Sequence, residues 1–133
     1  MNLGRNLAQQ QADAAVRAPV LIVEDEFLLR LMLSNQLREH GFDVIEASSA
    51  DEALTMLSAP TPCLIVTDVR MPGNLNGIDL LSRVRETHPK LPVILVSGHL
   101  TGIEITDGYT QFMPKPYAHD ALLQKIEVIL RTT

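Results

Sequence analysis

Three observations predict an α/β fold, a doubly wound five-stranded parallel sheet, for the 133 residues of this chain. Short, continuous apolar runs rich in Val, Ile and Leu recur along it, as strands buried on both faces require. Segments with apolar residues at helical spacing separate those runs, the pattern of repeated βα units. Several runs stop at an acidic or hydroxyl residue, and the carboxyl ends of the strands are where an open sheet of this kind binds ligands. The length suits one domain with a core of its own.

Taken in order, residues 1–18 stand apart. Gln9, Gln10, Gln11, Ala12, Ala14 and Ala15 dominate them, and Leu3 and Leu7 are the large apolar positions before Val16. They read as an N-terminal extension, either a tail with helical leaning or a short helix docking on a neighbour or second subunit, which leaves a homodimer open. Pro19 closes it by biasing its predecessor out of the helical region, and residues 19–133 form the folded domain. Residues 20–23 are the first strand, ending at Glu24, Asp25 and Glu26. Phe27, Leu28, Leu31, Met32 and Leu37 then recur at helical spacing until Gly41, a residue suited to end a helix. Residues 42–47 are the second strand. Ser49 with Glu52 forms a capping box for a helix through Leu57, which Pro60 and Pro62 shut off.

Residues 63–67 are the third strand, ending at Asp68. Residues 71–77 carry turn chemistry throughout, with Pro72, Gly73, Asn74, Asn76 and Gly77. Ile78, Leu80, Leu81 and Val84 mark an amphipathic helix that Pro89 ends. Residues 93–96 are the fourth strand, ending at Ser97, and residues 111–113 a brief fifth before Pro114, Lys115 and Pro116. Ala121, Leu122, Ile126, Ile129 and Leu130 mark a closing helix.

Composition excludes several classes. Sixteen acidic against eleven basic residues give a net charge of −5, so there is no electrostatic footprint for nucleic acid or an anionic membrane. No apolar run approaches bilayer-spanning length, and the polar N-terminus lacks a signal-peptide core. The single cysteine, Cys63, excludes an intramolecular disulfide and a CxxC metal site. His40, His88, His99 and His119 have no zinc spacing. No Walker loop is present and no Gly-x-Gly-x-x-Gly follows the first strand. The expectation is a cytoplasmic domain.

The strand ends gather a distinctive set: Glu24 and Asp25, Asp68, Ser97 and Lys115. Each pair of carboxylates within a few ångströms repels by roughly 1–4 kcal/mol at effective dielectrics of roughly 80 to 20. Lys115 offsets one charge. A hard divalent cation would offset two more, and all-oxygen ligation suits Mg²⁺.

Leu21-Ile22-Val23-Glu24-Asp25-Glu26, Val66-Thr67-Asp68-Val69-Arg70-Met71-Pro72-Gly73, Val96-Ser97-Gly98 and Lys115-Pro116 together resemble the receiver domain of bacterial two-component response regulators. The pieces run in order from about Val20 to the C-terminus, each at a strand's carboxyl end. The resemblance implies a CheY-like, flavodoxin-like (βα)5 fold. It makes Asp68 the phosphoacceptor, with Glu24, Asp25, Asp68 and the Arg70 backbone carbonyl holding Mg²⁺. Glu24 stands where many members carry Asp. Ser97 would bond a phosphoryl oxygen, Lys115 would pair with Asp68 at rest and with the phosphoryl group afterwards, and the Lys115–Pro116 bond would be cis. Phe112 occupies the place of the aromatic that swings inward on activation. The implied partners are a histidine kinase or histidine phosphotransfer protein upstream and a protein target downstream. The implied role is a signalling phosphoacceptor that self-phosphorylates with Mg²⁺ and slowly hydrolyses its own phosphate, not a dedicated enzyme.

Two departures from the family pattern stand out. The loop at 73–77 is one residue longer than usual. Only 17 residues separate Ser97 from Lys115, so the fourth helix must be short or irregular. Its β-branched residues and glycines point to a low-stability element over 100–110 that exchanges between conformations. After Leu130 only Arg131, Thr132 and Thr133 remain, so the expectation is a stand-alone receiver acting by protein contact.

Three other readings share features with this one. A phosphohydrolase of the haloacid dehalogenase type needs Asp-x-Asp, but Arg70 occupies the second position. A silent pseudo-receiver would lack the complete carboxylate, hydroxyl and lysine set. A flavodoxin needs a Ser/Thr-rich phosphate loop after the first strand, which is absent.

Overall fold

Strand β1 (Val20–Val23) is buried along its whole length and lies inside a five-stranded, all-parallel sheet. The computed structural model describes residues 18–58, 60–98 and 107–132. After β1 come α1 (Phe27–Glu39), β2 (Val44–Ala47), α2 (Ala50–Thr55), β3 (Leu64–Asp68), α3 (Gly77–Thr87), β4 (Val93–Ser97), β5 (Thr110–Pro114) and α4 (His119–Thr132). The sheet order is β2-β1-β3-β4-β5, so the chain reverses direction of travel across the sheet after β2. That reversal leaves a crevice at the carboxyl ends of β1 and β3.

Strand periodicity sorts the core into two layers. Val20 and Ile22 join Leu64, Val66, Ile94 and Val96 under α1 and α4, where Leu33, Leu37, Leu122 and Ile126 meet them. Leu21 and Val23 join Ile65, Val93 and Leu95 on the opposite face, under Ala50 and Ala53 of α2 and Leu80, Leu81 and Val84 of α3. Residues 1–17 and 99–106, which include most of the N-terminal extension and the expected fourth helix, lie outside the described residues.

The helix ends differ in instructive ways from the sequence reading. Ser49 caps α2 by accepting from the Glu52 N–H at 3.1 Å, but the Glu52 carboxylate accepts from Ser48 rather than from Ser49. The reciprocal box is at α3 instead: Asn76 Oδ1 accepts from Ile78 and Asp79, and Asp79 accepts from the Asn76 N–H. Helix α1 ends as expected at Gly41, whose φ is +88°, the left-handed conformation glycine adopts without penalty. Its buried stripe is Leu33, Ser34 and Leu37. Phe27, Leu28 and Met32, which the periodicity had placed with Leu37, are instead 60%, 65% and 51% exposed.

Arg85, near the end of α3, fastens the start of β5. Its guanidinium donates to the Leu91 carbonyl at 2.6 Å and the His88 carbonyl at 3.2 Å, to Thr110 Oγ1 at 2.8 Å, and to Asp107 Oδ2 at 3.2 Å. Asp107 in turn accepts from the Tyr109 N–H at 2.8 Å. Burial opposes ionisation of Asp107, but these hydrogen bonds outweigh it and hold its pKa below the ordinary value. Residues 107–110, the far end of the stretch expected to be least stable, are thus firmly tied.

Candidate functional site

Asp68, Ser97 and Lys115 stand at or just beyond the ends of β3, β4 and β5, and Glu24 follows β1. Backbone hydrogen bonds carry the sheet one step past those ends: Glu24 N–H to the Ala47 carbonyl, Val69 N–H to Val96, and Lys115 N–H to Ser97, at 2.9–3.1 Å. The side chains above them inherit that rigidity. Lys115 Nζ donates to Asp68 Oδ2 at 2.7 Å, and the Arg70 N–H approaches Asp68 Oδ1 at 3.3 Å. Glu24, Asp25 and Asp68 each place one carboxylate oxygen within 4.8 Å of the others. The Lys115–Pro116 bond is cis, as the resemblance implied.

The electrostatics follow from burial beside like charge. Glu24 is 9% exposed. Its pKa is raised from 4.5 to about 7, first by burial and next by the charge of Asp68, with Lys115 pulling the other way. Partial burial disfavours the Lys115 ammonium, but the hydrogen bond and charge of Asp68, with Glu24 behind it, more than reverse this and raise its pKa. Burial raises the Tyr117 phenol as well, helped by Glu24 and Asp68. Glu24 Oε2 is buried with no hydrogen-bond partner among the described residues. An orphaned oxygen in a set of hard oxygen donors fits a divalent cation of the Mg²⁺ type.

The structure therefore brings Glu24, Asp25, Asp68 and Lys115 together, with Ser97 buried at the end of the neighbouring strand. Phe112 is elsewhere: it pairs with Leu95 and packs, half-buried, on the α2–α3 face of the sheet.

Two supporting residues escaped the sequence reading. A Cβ on Gly77 would lie 2.3 Å from the Asp68 carbonyl oxygen and 2.8 Å from Val69 Cα, so α3 can start this close to Asp68 only with glycine there. The signal was a glycine directly after the Asn76 cap, where a helix former is the ordinary choice. Arg30 donates to the Glu24 carbonyl at 2.7 Å and pairs with Glu46 at 3.3 Å, fixing the backbone beneath the acidic cluster. Nothing in the local pattern of α1 marks it, because the partner Glu46 comes from β2.

Residues 20–127 match the response regulator receiver domain. The chain belongs to that family. The receiver is 38% identical over 109 residues to the C4-dicarboxylate transport transcriptional regulatory protein DctD of Rhizobium meliloti, covering 79% of this chain and 24% of that protein. It is 34% identical to the nitrogen assimilation regulatory protein NtrX of Azorhizobium caulinodans, over 85% of this chain and 26% of that protein. The chain thus spans about a quarter of the length of these relatives. Among solved structures, the receiver domain of NtrX from Brucella abortus superposes with a TM-score of 0.77 at 33% identity, covering 86% of this chain and 99% of that one. Receivers of this family are signalling phosphoacceptors that bind Mg²⁺ at an acidic site, and this receiver has the acidic cluster. No helix among its described residues is long and apolar enough to cross a membrane.

Proposed function

We propose that Asp68 accepts a phosphoryl group from a phosphohistidine on a histidine kinase or histidine phosphotransfer protein. The observation that carries this is the 2.7 Å contact from Lys115 to one oxygen of a carboxylate that shares its crevice with two others. One Asp68 oxygen attacks phosphorus, the P–N bond breaks, and its electron pair returns to the imidazole, leaving an acyl phosphate on Asp68. Lys115 is placed to follow the negative charge from carboxylate to phosphoryl oxygen. Ser97 supplies a hydroxyl to a second phosphoryl oxygen, and Phe112 moves in response. Glu24, Asp25, Asp68 and the Arg70 carbonyl would hold Mg²⁺, whose charge, when bound, offsets both the carboxylate repulsion and the incoming phosphoryl oxygens.

The partners on this reading are proteins. The net charge of −5 disfavours nucleic acid and anionic membrane. Exposed Phe27, Leu28 and Met32 on α1 offer an apolar face for a partner helix beside the crevice. Downstream output passes by protein contact in the cytoplasm. The unit carrying these roles is residues 19–133, with residues 1–18 as its extension.

Incubation with Mg²⁺ and a small phosphodonor, followed by intact-mass measurement, tests the central step. One phosphoryl group is expected on the wild type, and none on Asp68→Asn or in EDTA. Labelling of Asp68→Asn at the wild-type rate would remove Asp68 from the role.

A further inference from the structure

The acidic crevice does not end at its carboxylates. With Glu24, Asp68 and Lys115 at its polar mouth, it continues into a groove between α1 and the chain leading into α4, about 380 Å³ in all. Beyond that mouth the lining is mostly apolar, with Ile22, Leu29, Met32, Leu33, Val66 and the Tyr117 ring, and it includes His119. Leu29 and Met32 on its wall are 43% and 51% exposed, so it is open to solvent, and its volume lies in the range of small-molecule sites, about 300–1,000 Å³. Phosphoryl transfer needs only the polar mouth and leaves the apolar space without a role.

We propose that this cavity binds a small amphipathic organic cation, an amine or amidine on a compact apolar body, in competition with Mg²⁺. Charge selects the sign. Among the described residues, Glu24, Asp25 and Asp68 face a single ammonium, Lys115, and that ammonium is already engaged with Asp68. The independent pointer is Glu24 itself, about nine-tenths buried and lining the cavity with Oε2 unpartnered among the described residues. An amidinium there forms charge-assisted hydrogen bonds, while its apolar body covers Met32 and Leu33. A hydrated inorganic ion gains nothing from those walls, and an anion is repelled at the mouth. Because the head group and Mg²⁺ share Glu24, the two exclude one another, and the bound cation holds the receiver in its metal-free form.

Benzamidine serves as the probe, with neutral benzyl alcohol and anionic benzoate as controls, on full-length protein carrying labelled Met and Leu methyl groups and no phosphodonor. Saturable NMR shifts at Leu29, Met32 and Leu33 are expected at about millimolar benzamidine. Saturating Mg²⁺ should weaken the binding by at least about tenfold, by linkage at a shared group. Glu24→Gln should reduce benzamidine to the affinity of benzyl alcohol. Met32→Trp, a change at a half-exposed position that fills the cavity, should abolish binding without altering the fold by circular dichroism. The proposal is overturned by shifts that do not saturate, by shifts confined to Leu28, by benzoate binding as tightly, or by affinity indifferent to Mg²⁺. Contacts from residues 1–17 to the Met32 methyl in probe-free protein would also overturn it, by giving the cavity to the chain itself. Phosphorylation of Asp68 is measured in separate samples without probe, so failure of that reading leaves this one standing, and the reverse.

Discussion

Asp68 stands between two helices that treat it very differently. On one side α3 is driven hard against the end of β3: Gly77 N–H donates to the Val69 carbonyl at 2.8 Å, Asn76 and Asp79 close a reciprocal cap, and Leu80, Leu81 and Val84 fill the core beneath. On the other side α1 commits only Leu33, Ser34 and Leu37 to burial, turns Phe27, Leu28 and Met32 outward, and leaves a groove beside Glu24. The packed side fixes where the carboxylate is. The loose side decides what can reach it.

Disturbing the packed side should cost most. Gly77→Ala forces a methyl into backbone atoms that cannot withdraw, so a loss of about 3 kcal/mol in urea unfolding is expected, with slower Asp68 phosphorylation. A change below about 1 kcal/mol would mean that α3 slides freely and the contrast is false.

The next effect belongs to the loose side and to pH. A carboxyl whose pKa is higher in the folded than the unfolded state holds its proton more tightly when folded. Without metal, Glu24 should therefore contribute stability below about pH 4.5, its ordinary value, and lose it as pH rises to about 7. The swing is on the order of 3 kcal/mol. Glu24→Gln, melted across the same range, should lack this decline. A parallel decline in the variant would assign it to other groups.

Two smaller changes sharpen the comparison. Asn76→Ala removes the cap of α3 and should cost about 1 kcal/mol in the same unfolding experiment. Replacing Phe27 and Met32 by serine should shift stability by less than about 0.5 kcal/mol, as exposed positions do. That double variant should still accept phosphate from a small donor at the wild-type rate, while transfer from a phosphohistidine protein slows by about tenfold. Equal slowing with both donors would place these side chains in the site's support rather than its docking face.

The same contrast explains what could be read from the sequence. The sheet was legible because β1, β3 and β4 are buried on both faces, and such strands announce themselves as unbroken apolar runs. Glu24, Asp25, Asp68, Ser97 and Lys115 were legible because a parallel sheet gathers its strand ends on one edge. Helix α3 followed its periodicity because Leu80, Leu81 and Val84 are core and Ile78 packs against it. Helix α1 did not, because periodicity counts apolar residues without knowing what covers them, and Phe27, Leu28 and Met32 are apolar for a reason outside the core. The roles of Gly77 and Arg30 depend on atoms brought from β3 and β2, which no local pattern reports. Of the element expected over 100–110, residues 100–106 lie outside the described residues.

Arg85 bears on how a chain like this can vary over evolutionary time. By binding Asp107, Thr110 and two carbonyls of the α3–β4 connection, it sets the register of β5 from below. Lys115 at the far end of that strand therefore does not take its position from the peptide joining β4 to β5. By the general scaling of closure entropy, doubling the length of a connection costs only about 0.6 kcal/mol. A lineage can accordingly lengthen or trim that joint while the ammonium beside Asp68 stays where it is.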